Sequence, residues 1–136
     1  MRLQRVINYA ARFVLHLPKR ASISSALREL GWLPMELRIE FKLLLVTFST
    51  LNTGLPASLH DALHLLAPST TRIQTRSSSD PLQLFQGRTR SKLGDRSFSV
   101  SAACVWNKIP LNIRQSKNKK SFKSACKDHL LTLSVV

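Results

Sequence analysis

Apolar and polar positions follow a helical period through most of this chain, and the longest such stretch runs from Trp32 to Leu55. Within it Leu37, Phe41, Leu44, Leu45, Phe48 and Leu51 fall on one stripe at the i, i+4, i+7, i+8 spacing of a helix face. A second stripe runs Met35, Ile39, Leu43, Val46, and the charges Glu36, Arg38, Glu40 and Lys42 sit only in the first two turns. A helix that is apolar nearly all round is covered on more than one side, so this pattern predicts a central helix with Leu44, Leu45 and Phe48 buried. Pro34 suits its first position. Gly54, with Pro56 just beyond, suits its stop, and Trp32 stands close to its start.

The other periodic stretches are shorter. Residues 2–17 predict an amphipathic helix with Leu3, Val6, Ile7, Ala10, Val14 and Leu17 on one face and Arg2, Arg5, Asn8 and Arg12 on another. After the break at Pro18, Ser22 or Ser24 can cap a short helix carrying Ile23, Leu27 and Leu30, which Gly31 ends. Pro56 opens a fourth helix with Leu59, Leu63 and Leu66, stopped by Pro68. From Ser69 the texture turns polar, basic and aperiodic, which reads as a loop or linker. Leu82-Gln83-Leu84 and Arg88 to Leu93, about Gly87, offer the two arms of a short β-ribbon. Asp95 or Ser97 can then cap a helix carrying Phe98, Ala102, Val105 and Trp106. Pro110 ends it and starts a further turn with Leu111 and Ile113. Ser121 can cap a last helix with Phe122, Ala125, Cys126, His129 and Leu130. The expected fold is therefore mainly α: a small helical bundle of about six helices, with a basic loop or short β-ribbon between residues 69 and 95. By texture the chain divides into a helical bundle over 1–68, a basic loop or ribbon linker over 69–97, and a C-terminal helical segment over 98–136.

Charge changes this picture. The 136 residues carry a formal net charge of +14. Residues 1–71 hold 8 Lys/Arg against 4 Asp/Glu, and residues 72–136 hold 13 against 3. A half that basic repels itself unless it meets polyanions, so nucleic acid is the first partner to consider and an anionic membrane surface the second. Arg72, Arg76, Arg88, Arg90, Lys92 and Arg96 are interleaved with Ser and Thr, residues whose side chains bind phosphate oxygens. These six are the candidate nucleic-acid-binding residues, suited to an RNA or DNA backbone rather than to base readout. The opposing reading is a solvated basic loop on a structural or protein-interaction helical module. The first helix adds an organelle-targeting variant of that module, being amphipathic and Arg-rich with no acid before Glu29. Asn8 and Arg12 interrupt any secretory signal core. Self-association is expected through the apolar face of residues 2–17.

Catalytic chemistry is not evident. The four glycines are not clustered, so no phosphate-cradling loop exists. Asp61, Asp80, Asp95 and Asp128 are isolated, and Glu36 with Glu40 reads as helix-surface pairing. His60 and His64 have a spacing that can bind zinc but no third ligand nearby, and Cys126 with His129 is likewise alone. No catalytic residue, metal or cofactor is expected. Cys104 and Cys126 are too few for a disulfide framework and read as free thiols of a reducing compartment, nucleus or cytoplasm rather than secretion. No apolar run approaches the ~18–20 residues of a membrane span.

Several short motifs, taken together and in order, resemble a known family. They are Leu3-Gln4-Arg5-Val6 with Ala10-Ala11-Arg12, Leu30-Gly31-Trp32-Leu33-Pro34, Arg38-Ile39-Glu40-Phe41-Lys42 and Leu51-Asn52. They continue with Arg76-Ser77-Ser78, Gly94-Asp95-Arg96-Ser97-Phe98-Ser99, Trp106-Asn107 with Ile109-Pro110, Ile113-Arg114, and Ser121-Phe122-Lys123. The set, spread over residues 2 to 131, resembles the end of a LINE-type (non-LTR, jockey-like) retrotransposon polyprotein. It departs at Ser25 and Cys104, where that family commonly has proline. The resemblance implies a region like the thumb and the segment after it in a reverse transcriptase, gripping template–primer or target nucleic acid. The family's polymerase core, with its paired catalytic aspartates, and its endonuclease have no counterpart in these residues. The resemblance therefore implies binding without catalysis, in a truncated copy of such an element, or a decayed copy with no selected function.

Overall fold

The computed structural model describes residues 2–65 and 81–134. It is mainly helical, with seven α-helices among the described residues: α1 (Arg2–Val14), α2 (Ile23–Glu29), α3 (Met35–Thr53), α4 (Ala57–Asp61), α5 (Phe98–Lys108), α6 (Leu111–Arg114) and α7 (Lys119–Leu133). The chain forms two compact units, one of Met1–Lys42 with Ser124–Val136 and the other of Leu43–Lys123.

In the first unit, Ala11 of α1 is buried with Ala26 and Leu27 of α2. Ile7, Leu15, Leu17, Ile23, Leu30 and Trp32 pack against them. Both helices end in the same way. His16 donates to the Phe13 carbonyl and Leu17 to that of Arg12, while Gly31 donates to Arg28 and Trp32 to Leu27. His16 and Gly31 both have positive φ, so each helix closes in a left-handed residue that satisfies its last carbonyls. Only the second of these stops uses glycine, so the first is hard to see in the sequence. The expected apolar face of residues 2–17 divides: Ile7 and Leu17 turn inward, whereas Leu3, Val6 and Val14 stay exposed. The cause is polar. Gln4 lies on the inner side, where its Oε1 accepts the Met35 N–H at 2.6 Å. That hydrogen bond satisfies one of the orphan donors at the start of α3. Gln4 Nε2 in turn donates to Asn8 Oδ1 at 2.7 Å. The α3 ladder begins at the Pro34 carbonyl, one residue later than the pattern predicts.

The second unit is organised around Phe122. Its ring stacks on Phe48 of α3 with centroids 4.2 Å apart and planes 12° off parallel. On Trp106 of α5 the centroids are 5.9 Å apart and the planes 29° off. Leu44, Leu63, Leu84, Ala102, Ala103, Ile109 and Ile113 are buried in the same unit. The buried arc of α3 takes in Thr47 and Thr50 and leaves Val46 exposed, and Leu45 is only half-buried. Thr47 tolerates burial because its Oγ1 donates back to the Leu43 carbonyl at 2.9 Å. Gly54, at positive φ, donates to Thr50 and ends α3, as its position in the sequence suggests. The helix after Pro56 is shorter than its leucine spacing predicts and stops at Asp61. Leu66 lies outside the described residues. Of the two caps offered for α5, Ser97 takes the N-cap position. The cap of α7 differs: it is Asn118 rather than Ser121, and the Ser121 N–H donates to Asn118 Oδ1 at 2.8 Å.

Of the two alternatives for residues 69–95, the described part adopts the loop. A single antiparallel bridge joins Leu65 to Leu84, with the Phe85 N–H donating to the His64 carbonyl at 2.7 Å. The other edge of Leu84 meets no strand. It meets the Asn107 side chain, which accepts from the Leu84 N–H at 2.9 Å and donates to the Leu84 carbonyl at 2.8 Å. Both polar groups of Leu84 are thus occupied by α5, so Arg88 to Leu93 has no partner there and runs on as exposed chain.

Candidate nucleic-acid interface

Four of the six candidate residues lie on described chain. Arg88, Arg90, Lys92 and Arg96 are all exposed, whereas Arg72 and Arg76 lie outside the described residues. The segment carrying the four is anchored at both ends. At its start the Trp106 indole N–H donates to the Leu82 carbonyl at 2.7 Å, beside the Asn107–Leu84 pair. At its end a 3₁₀ turn, Gly94–Arg96, leads into α5. The turn is closed by the Asp95 N–H on the Ser91 carbonyl at 3.1 Å and by the Gly94 N–H on Ser91 Oγ at 3.1 Å. Thr89 Oγ1 donates to the Asp95 carboxylate, and Ser101 Oγ donates to the Asp95 carbonyl at 2.9 Å. Gly94 sits in a close approach: a Cβ there would stand 3.1 Å from that of Thr89 and push it aside by a few tenths of an ångström.

This arrangement fixes the electrostatics. The one acid on the described part of this loop, Asp95, accepts from Thr89 Oγ1. No described carboxylate stands within ion-pair distance of any of the four cations. Their charges stand in water on a loop whose ends are fixed. The Thr89 hydroxyl already donates to Asp95, whereas Ser91 Oγ accepts from Gly94 and keeps its own proton to donate to a phosphate oxygen. The same unit holds a further basic set, Lys117, Lys119, Lys120 and Lys123, all exposed. They surround the first turn of α7, where a helix dipole disfavours cations. Lys117 stands just before the Asn118 cap and the other three just after it.

His60 and His64 both line a cavity of about 370 Å³, together with Phe48, Leu63, Trp106 and Arg114. Since α4 stops at Asp61, the two histidines do not share a helix face. Arg114, buried, donates from Nε to the Ile109 carbonyl at 3.1 Å, and its guanidinium makes this cavity hostile to a metal cation. Among the described residues no three His, Cys, Asp or Glu side chains converge as a metal site would need. Cys126 is buried and Cys104 half-buried, both as free thiols, and burial pushes the Cys126 thiol up to about 11. No described helix is long and apolar enough to cross a membrane.

No family model, curated protein or solved structure matches the chain.

Proposed function

We propose that the chain is a non-catalytic, sequence-independent nucleic-acid-binding protein that grips RNA or DNA backbones through the basic segment containing Arg88, Arg90, Lys92 and Arg96. The observation that carries this reading is that these four cations are exposed, with no described carboxylate within ion-pair distance, on a loop anchored through Trp106 and Asn107. Clustered cations without acids are unfavourable in isolation and become favourable when phosphates displace their counterions. The lysines around the first turn of α7 extend the same logic. No fixed helix presents these side chains to base edges, so affinity follows charge rather than sequence. The resemblance to the C-terminal region of a retrotransposon reverse transcriptase points in the same direction, to a grip on nucleic acid without the polymerase core.

The test is the salt dependence of binding to labelled single-stranded RNA and to duplex DNA. Four phosphate contacts give a slope of log K against log salt of about −2.8 on single strands and about −3.6 on duplex. Between 50 and 200 mM salt, affinity then falls by about 50-fold and about 150-fold respectively. Arg88→Ala with Arg90→Ala reduces the slope by about two contacts' worth, whereas Arg2→Ala with Arg5→Ala leaves it close to wild type. A flat salt dependence, or equal loss from either pair, refutes the loop as the grip.

A further inference from the structure

Helix α1 gives one flank to its own unit and leaves the other to solvent. Inward go Ile7, Ala11 and Leu15. Outward, Leu3 is 59% exposed, Val6 64%, Tyr9 67%, Phe13 81% and Val14 50%. At the helical repeat these five share a continuous arc of about 140°, with Arg2 inside it and Arg5 and Arg12 together at one border. Five large apolar side chains on one flank of thirteen residues form a patch, the kind of surface that marks a binding site.

Charge selects the occupant. No Asp or Glu occurs before Glu29, whereas Arg2, Arg5, Arg12, Lys19 and Arg20 all do. Whatever covers this arc must offer apolar depth and negative charge at its rim. A second copy of α1 brings the same arginines and no acid to answer them. A nucleic-acid backbone offers the charge but nothing to bury Val6 and Phe13. An anionic bilayer offers both, an acyl layer beneath a negative headgroup layer, with the headgroup boundary suited to aromatic residues such as Tyr9. The helix, at about 20 Å long, is too short to span the ~30 Å hydrocarbon core, so it lies in the plane of the interface. We propose that α1 docks flat on an anionic lipid surface, with Leu3, Val6, Phe13 and Val14 dipping below the headgroups and Arg2, Arg5 and Arg12 on the lipid phosphates.

Flotation of the full chain with two vesicle types tests this: phosphatidylcholine mixed with phosphatidylserine, and phosphatidylcholine alone. The expected result is binding to the first and little to the second. Arg2→Ala with Arg5→Ala should weaken binding by about 25-fold, each arginine near the surface being worth about fivefold. Val6→Ser with Phe13→Ser should abolish it, with the circular dichroism spectrum unchanged because both side chains are already exposed. Phe13→Trp, conservative at the same site, should retain binding and shift its emission to the blue on the anionic vesicles. Arg88→Ala with Arg90→Ala should leave vesicle binding nearly intact. The proposal is overturned by equal binding to both vesicle types, by binding to neither, or by the loop variant costing as much as the α1 variants. It is also overturned if the protein ignores vesicles and instead forms dimers that Phe13→Ser dissolves, which would assign the face to a second copy.

Discussion

Phe122→Ala is the sharpest probe of the second unit. The side chain is fully buried and its ring is shared between two partners, Phe48 at 4.2 Å and Trp106 at 5.9 Å between centroids. Truncating a buried Phe to Ala costs ~3–5 kcal/mol, the sum of lost transfer energy and the cavity left behind. The upper half of that range is expected, because two aromatic contacts, each worth ~0.5–1.5 kcal/mol beyond their area, vanish together. For a urea m-value of ~2 kcal/mol/M, the unfolding midpoint should fall by about 2 M. Phe122→Leu separates the terms: it refills most of the volume and loses only the ring contacts, so ~1–2 kcal/mol is expected. Urea titrations followed by far-ultraviolet circular dichroism and by tryptophan fluorescence report both variants. A double-mutant cycle with Phe48→Leu should give a coupling of ~0.5–1.5 kcal/mol between the stacked rings. A cost below ~1 kcal/mol for Phe122→Ala, the range of surface substitutions, would mean that the α3–α5–α7 aromatic stack is not the core of this unit.

Asn107→Ala should cost ~2–4 kcal/mol, because the buried Leu84 N–H and carbonyl both lose their partner. Hydrogen exchange at the Leu84 amide should accelerate, while Asn107→Asp, which keeps the acceptor, should protect that amide better than alanine does. Cys126 makes stability pH-dependent at the alkaline end: the buried thiol titrates near 11 against 9.0 for an ordinary one. The unfolded chain therefore releases this proton first. Stability from this group is intact below pH 9 and declines as pH rises from 9 toward 11, by ~2–3 kcal/mol in all. Urea midpoints of wild type and Cys126→Ala across that range should converge as pH rises, and parallel curves would refute it.

Most of the helices are legible in the sequence because period, glycine stops and proline starts agree with one another. Leu44, Phe48, Trp106, Phe122 and Leu130 stand on their stripes and are buried. In α1 and beside Leu84 a side-chain hydrogen bond outranks hydrophobic period. Gln4 turned the inner face of α1 toward itself, and Asn107 took the place of a strand beside Leu84. Neither effect has a local signature, because each joins residues far apart in the chain. The exposure of Arg88, Arg90, Lys92 and Arg96 was legible from composition. Their lack of a described counter-charge was not, since it depends on Thr89 holding Asp95.

The grip of Asn107 on Leu84 also bears on how the protein behaves in a crowd. An extended segment with free N–H and carbonyl groups along one side is a template for strand addition by another chain. Here one side of that segment is taken by His64 and Leu65 and the other by a single amide on a helix. A helix side chain cannot recruit a further strand, so β-pairing ends where it starts. For a sequence with apolar Leu82, Leu84 and Phe85 so close together, that amide is a guard against intermolecular sheet formation.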